Sequence, residues 1–343
     1  VTTPNPAQAG SGAVATAPAS RPGPPPITPW RDTRGRFGDA VFRRSADASG
    51  VLIVVLVLAI GGFMLMRALP ALHHNKENFF TYGGAWVTND VSSMHFGIFN
   101  LLQVTVCVSV FGLLLAMPVA LGVAIFLTQY APRRFVAPLA YTVDLLAAVP
   151  SIIYGIWGLH VLGPQLRPVA IWLNHTMGWF FLFASGNASV GGGGTIFTGG
   201  IVLAVMILPI IAAVTREVFV QTPQDQIEAA LALGATRWEV VKTTVLPFGR
   251  SGYVSAAVLG LGRALGETVA MLIILRGTQT AFHWSLFDGG STFANKIASA
   301  AWEFNNQYQA GAYIAAGLVL FVLTFLSDAL ARAIAARTAK GTR

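Results

Sequence analysis

Apolar residues in this chain gather into six long blocks instead of alternating with polar ones. The blocks run approximately Ser49–Leu69, Val104–Leu127, Phe135–Leu162, Ile201–Val220, Tyr253–Leu275 and Gly311–Leu330. Each is near the ~20 residues a helix needs to cross a hydrocarbon core. A membrane β-barrel would show segments of about ten residues with alternating hydrophobicity, and none is present. The pattern predicts an all-α membrane protein with six transmembrane helices. Pro150 predicts a kink or short break in the third block near Val149-Pro150-Ser151, and Pro209 lies inside the fourth.

Composition agrees with that class: 54% of the 343 residues are hydrophobic and 10% charged, against about 25% charged in soluble domains. The net charge of +8 would suit nucleic acid only if the basic residues shared a face. Instead they sit at the ends of apolar blocks, so no nucleic-acid partner is expected and the lipid bilayer is. Of the twenty-two Lys and Arg residues, sixteen fall in the N-terminal tail, the 128–134 and 216–250 connections and the C-terminus. Four (Lys76, Arg167, Arg276, Lys296) fall on the opposite side, and Arg67 and Arg263 fall within blocks. The asymmetry places both termini and the 216–250 loop in the cytoplasm.

The expected organisation is then a Pro-rich, basic, disordered cytoplasmic tail over 1–48 and a first transmembrane helix over 49–70. An external loop over 71–97, a transmembrane domain over 98–332 and a cytoplasmic C-terminus over 333–343 follow. The first block is too long for the 7–15-residue core of a signal peptide. Cys107 stands alone within a block, so an internal disulfide is impossible. His73 and His74 are adjacent and would point about 100° apart on a helix, a poor metal pair. No metal or catalytic residue is expected.

The 216–250 connection carries its own punctuation. Thr222-Pro223-Gln224-Asp225 offers an N-cap hydroxyl, proline at the first helical position and an acid in the first turn. The helix it starts should reach about Leu233, where Gly234 supplies a left-handed stop. Thr236-Arg237-Trp238-Glu239 is a capping box for a second helix, expected to end by Pro247. The exposed stretch Glu228-Ala229-Ala230-Leu231-Ala232-Leu233 has small side chains over which a partner's groove could close. On local signals alone an ordinary cytoplasmic hairpin between spans is the slightly better reading. The chain has no G-x-x-x-x-G-K-S/T, since none of its four lysines follows a glycine. ATP hydrolysis must therefore come from another polypeptide.

Arg263, Glu267 and Asp144 are the charged residues deepest within the blocks. Arg263 lies about 15 Å along a helix counted from Tyr253, mid-way through a ~30 Å core. Glu267 follows four residues later, on the same face of a continuous helix. An Arg at that depth costs roughly 2.5–3.5 kcal/mol on insertion scales. The pair is either an ion-pair lock or a cationic site on an anion path with Glu267 positioning Arg263, and physics favours function. Asp144 is expected to be structural, paired with a base or a backbone N–H, because an acid on an anion path would repel its cargo.

Glu228-Ala229-Ala230, Gly234 and Leu246-Pro247, at the expected spacing, resemble the EAA loop of ABC-importer permeases; Thr244 stands where that pattern usually has isoleucine. The 259–268 segment Leu-Gly-Leu-Gly-Arg-Ala-Leu-Gly-Glu-Thr resembles the phosphate-importer permeases, as do Val149–Gly155 and Phe96–Leu102. The likeness spans roughly 80–332, and the glycine before Arg263 together with Met271 suggests the PstC branch rather than PstA. It implies a type I (MetI-like) permease core plus an additional N-terminal helix, in a bacterial plasma membrane. It also implies a translocation path at Arg263 and Glu267, and ATPase coupling through Glu228, Ala229, Ala230, Gly234 and Ala235. The implied partners are a second permease (PstA), a cytoplasmic ATPase pair (PstB) and an external phosphate-binding protein (PstS). ATP and Mg would sit on the ATPase, with no cofactor on this chain. The rival readings are a permease for sulfate or molybdate, and a proton-coupled carrier that uses Glu267.

Overall fold

A computed structural model describes residues 33–277, 282–302 and 304–340. The expected tail over 1–32 and the last residues, 341–343, lie outside the described residues. The chain divides into a unit ending at Leu56 and a second unit, Val57–Arg343. Helix α1, Thr33–His74, starts well before the expected boundary near residue 49. The Arg-containing stretch from Thr33 is helical rather than tail-like, since Arg and Ala are good helix formers and proline is absent until Pro70.

The second unit is built from helices, and its one β-bridge among the described residues pairs Val87 with His95. Helix α2, Phe99–Ile125, continues through one wide turn to Tyr130. Helix α3, Arg133–Ala148, meets α4, Ser151–Trp157, at a bend of 88°. The bend falls at Pro150, as the sequence predicts, because proline removes a donor and forces the preceding residue out of the helical region. Helix α4 runs on through a wide turn into α5, Gly163–Met177, so the third apolar block ends later than expected. Helix α6 is Ile196–Val220, α7 Gln224–Ala232, α8 Arg237–Val240 and α9 Leu246–Leu265. The short α10, Val269–Ile274, and α11, Phe293–Ala300, precede α12, Gln307–Lys340.

Among the described residues four helices are long and apolar enough to cross a membrane: Ala40–His74, Phe99–Tyr130, Ile196–Val220 and Gln307–Leu330. A fifth is added if α3 with α4–α5 counts as one bent span. The predicted span Tyr253–Leu275 is not one helix. It breaks at Gly266-Glu267-Thr268 into α9 and α10.

Helix α6 is the central post, with residues such as Val202, Leu203, Met206, Ile207 and Ile211 fully or almost fully buried. It packs along α2 with Gly200 against Phe111 and Gly112 against Leu203. On its other side Gly249, Gly252 and Gly260 of α9 meet Phe219, Val218 and Ile211 in turn, so α9 runs antiparallel to α6 at close range. Small residues permit that approach, and dispersion contacts drive helix association where lipid removes the hydrophobic incentive.

At the N-terminal end of α6 two loops are stitched together by Asp288, which is fully buried. Its carboxylate accepts N–H bonds from Asn187 (2.8 Å), His283 (2.9 Å) and Ser285 (3.0 Å). The backbone N–H of Gly289 donates back to Asn187 Oδ1 at 2.7 Å. The three N–H bonds on the carboxylate explain how it survives without exposure.

Candidate functional site

Arg263 occupies the last turn of α9, and its side chain is exposed. Three residues earlier, Gly260 rests on Ile211, near the middle of α6, so Arg263 stands at mid-depth of the helical layer. Glu267 is on the far side of the helix break and buried, 8% exposed. Its Oε1 accepts the backbone N–H of Ala270 at 3.3 Å and so caps the first turn of α10. The expected Arg263–Glu267 pair is therefore corrected. Among the described residues no acid pairs with Arg263, and the only ion pair is His283–Asp288 at 3.5 Å. The physical reason is Gly266. It closes α9, with its N–H donating weakly to Gly262 O at 3.4 Å, and the break turns Glu267 off the face that Arg263 occupies.

The break is held from both sides. Gly155 of α4 lies so close to α10 that a Cβ there would sit 3.0 Å from the Ala270 Cα. Asn295 of α11 donates to Met271 O at 3.4 Å. Two of the stretches that carry the family resemblance, Val149–Gly155 and 259–268, therefore meet around the break. Tyr154, buried on α4, lies within electrostatic reach of Arg263 and donates its hydroxyl to Leu146 O at 2.8 Å.

Sequence reasoning passed over Asp328. It lies on α12 opposite Gly262, where a Cβ would come 3.7 Å from its Oδ1. The signal was there, an acid within two residues of the end of the last apolar block, but it was absorbed into the block's boundary. Asp144 is exposed on α3 and makes no ion pair or side-chain hydrogen bond among the described residues, so they do not include its expected partner.

The connection between α6 and α9 has the predicted helix–glycine–helix form, with two differences. Gly234 adopts φ +87°. The N–H of Gly234 bonds Leu231 O at 2.9 Å and that of Ala235 bonds Ala230 O at 3.1 Å, the double bond of a Schellman stop. The capping box forms fully: Glu239 N–H donates to Thr236 Oγ1 at 3.3 Å, and Thr236 N–H donates to Glu239 Oε2 at 2.7 Å. Those hydrogen bonds hold the exposed Glu239 carboxyl below its ordinary range.

The first difference is at Thr222, which does not cap α7. Its Oγ1 is buried without a partner and Pro223 takes the cap position. The second is that α8 does not end at Pro247. It passes through a wide turn, Val241–Val245, directly into α9. Pro247 then falls in the first turn of α9, where a missing donor costs little. Helix α7 buries no residue, and Glu228, Ala229, Leu231, Ala232, Leu233 and Trp238 are exposed, Leu233 to 90%. Only Ile227 anchors it, against a cluster of Ala124, Ile125, Phe219, Val241 and Val245.

Comparison with known proteins matches residues 116–340 to the family described as the binding-protein-dependent transport system inner membrane component. The chain is 58% identical over 306 residues to phosphate transport system permease protein PstC 2 of Mycobacterium tuberculosis, covering 89% of this chain and 94% of that protein. It is 58% identical over 303 residues to PstC of Mycobacterium leprae, covering 88% and 95%. With PstC of Mesorhizobium japonicum it shares 37% identity over 316 residues, covering 90% and 94%. Among solved structures, an inward-facing MetNI methionine ABC transporter is similar at 18% identity and a TM-score of 0.49, covering 70% of this chain and 94% of that one; the likeness is too remote to carry an argument. The multi-pass helical architecture and the matched family model agree: the chain is a transport subunit and belongs to the binding-protein-dependent transport system inner membrane components.

Proposed function

We propose that this chain is a transmembrane permease subunit of an ATP-driven importer of inorganic phosphate. The observation that carries the reading is Arg263: an exposed cation at mid-depth, with no acid paired to it, beside a helix break, in a chain 58% identical to phosphate permeases. A guanidinium there offers a planar fork matched to two oxygens of a tetrahedral oxyanion. Its desolvation is tolerable when an anion or a water-filled cavity faces it. Glu267 acts indirectly, because it holds the break by capping α10 rather than by gripping Arg263.

Both termini and the α7–α8 connection lie on the cytoplasmic face, as the Lys and Arg distribution requires. The exposed surface of Glu228, Ala229, Ala230, Gly234 and Ala235 docks on a separate ATPase subunit that carries ATP and Mg. A second permease covers the exposed faces of α3 and α9, and an external binding protein delivers phosphate. Closure of the ATPase pair shifts α7. The continuous path from α8 into α9 carries that shift to Arg263, alternating the access of the central cavity.

The test is ATP-driven phosphate uptake by the reconstituted transporter. Arg263→Met should assemble and lose uptake, and Arg263→Lys should recover part of it, since lysine keeps the charge and loses the fork. Uptake by assembled Arg263→Met at the parent rate would remove Arg263 from the path.

A further inference from the structure

Away from Arg263, at the end of the bundle where α6 begins, a cavity of about 110 Å³ is lined by Gly84, Ala85, Trp86, Gly97, Asn100, Leu101, Ser291 and Lys296. It has room for three or four waters at the ~30 Å³ each occupies in the liquid. Its walls are firmly placed. Trp86 Nε1 donates to Gly97 O at 2.8 Å, Val87 and His95 bond each other's backbones, and Asn75 clasps both polar backbone atoms of Phe96. Gly97 backs directly onto the Tyr82 carbonyl, and a Cβ on Gly84 would meet the Tyr82 hydroxyl at 2.6 Å.

The polar groups facing this cavity are donors in search of an acceptor. The Lys296 ammonium lies 5.4 Å from the centre of the Trp86 ring and makes no hydrogen bond or ion pair among the described residues. Among the described residues no acid lines the cavity. Burial pushes the Lys296 ammonium down from its ordinary pKa, as expected of a cation lacking a counter-charge. Asn100 lines the cavity too; its Oδ1 is buried without a partner, and its amide nitrogen makes no hydrogen bond among the described residues, so its N–H donors are free to turn to an acceptor. Ser291 adds a hydroxyl. A lone cation, an amide and a hydroxyl around a space of this size form an oxyanion receptor.

We propose that this cavity binds one tetrahedral inorganic oxyanion, phosphate on the reading above, as a receiving site distinct from Arg263. The inference rests on that reading for the identity of the anion. Lys296 supplies the charge, and Asn100 and Ser291 orient the oxygens. A free anion and a lipid phosphodiester share this chemistry, and the experiment distinguishes the two.

The experiment is equilibrium dialysis of radiolabelled inorganic phosphate against the assembled transporter in nanodiscs of zwitterionic lipid, without ATP or binding protein. Lys296→Met should weaken binding by about tenfold or more, the scale of one lost charge-assisted hydrogen bond, and Lys296→Arg should retain it. Measured in the Arg263→Met background, so that no second anion site is counted, Asn100→Asp, isosteric but anionic, should abolish binding in a protein that still assembles. Arg263→Met should leave this site filled. Wild-type binding strength in both Lys296→Met and Asn100→Asp would overturn the inference. Displacement of phosphate when phosphatidylglycerol is added to the nanodisc would overturn it too, by making the site a lipid site. The parent transporter's ATP-driven phosphate uptake separates the two readings: its absence sinks the proposed function, whereas uptake with Lys296-insensitive binding sinks this inference alone.

Discussion

At the scale of single residues, the account turns on what Arg263 and Glu267 do separately. A four-residue spacing suggested a pair, and it would have been one had the helix continued. Gly266 ends it, and a glycine just after an Arg-containing turn is a readable stop signal that the flanking apolar run concealed. Glu267 as a cap predicts a particular mutational pattern. Glu267→Gln keeps an acceptor for the Ala270 N–H and should be mild. Glu267→Ala leaves that buried donor open and should cost roughly 1–3 kcal/mol, read as a lower denaturation midpoint in detergent. Equal loss in both variants would mean that the charge of Glu267, not its capping oxygen, is what matters. Asp328 and Asp288 show the limit of sequence reading at this scale. Each is an ordinary acid until the fold brings it opposite Gly262 or beneath three backbone N–H groups.

At the scale of elements, local punctuation was highly legible where it is made of short-range bonds. The Gly234 stop and the Thr236–Glu239 box form between residues three to five apart, so the sequence alone specifies them. Thr222 failed as a cap because tertiary packing buries it, and Pro247 failed as a stop because the wide turn before it absorbs the missing donor. No atom lies within 4 Å of a Cβ added at Gly234, so substitution there is penalised by backbone conformation alone. Gly234→Val should cost about 1–2 kcal/mol through its left-handed φ. It should also uncouple ATPase activity from uptake while the transmembrane part stays folded. Normal coupled uptake in that variant would remove α7 as the transmission element.

The cap also has an acid limit. Glu239 is depressed in the folded protein, so its contribution is present above the ordinary value of 4.5 and is lost as pH falls through the lower folded value. The protection of the Thr236 amide, taken relative to the intrinsic exchange rate at each pH, should fall only in that acid window; protection that stays level across it would contradict the cap's role.

At the scale of the whole molecule, hydropathy located every spanning block but misjudged continuity. Length and apolarity survive in four helices and one bent pair, while the fifth block is divided by a break that composition cannot register. Orientation, inferred from charge, is open to direct labelling in a Cys107-free background. Single cysteines at the exposed positions Ser189 and Ser299 should react with an impermeant thiol reagent in intact cells, and those at Gln224 and Ala232 should not. Labelling of Ala232→Cys from outside would invert the topology and detach α7 from any cytoplasmic ATPase. The central claim is that this chain passes phosphate in response to ATP hydrolysis by a partner. It is tested most directly by measuring phosphate entry into vesicles that hold the assembled transporter, with ATP supplied and the proton gradient abolished. The account predicts accumulation that stops when ATP is withdrawn. Uptake that persisted without ATP and collapsed with the proton gradient would contradict it.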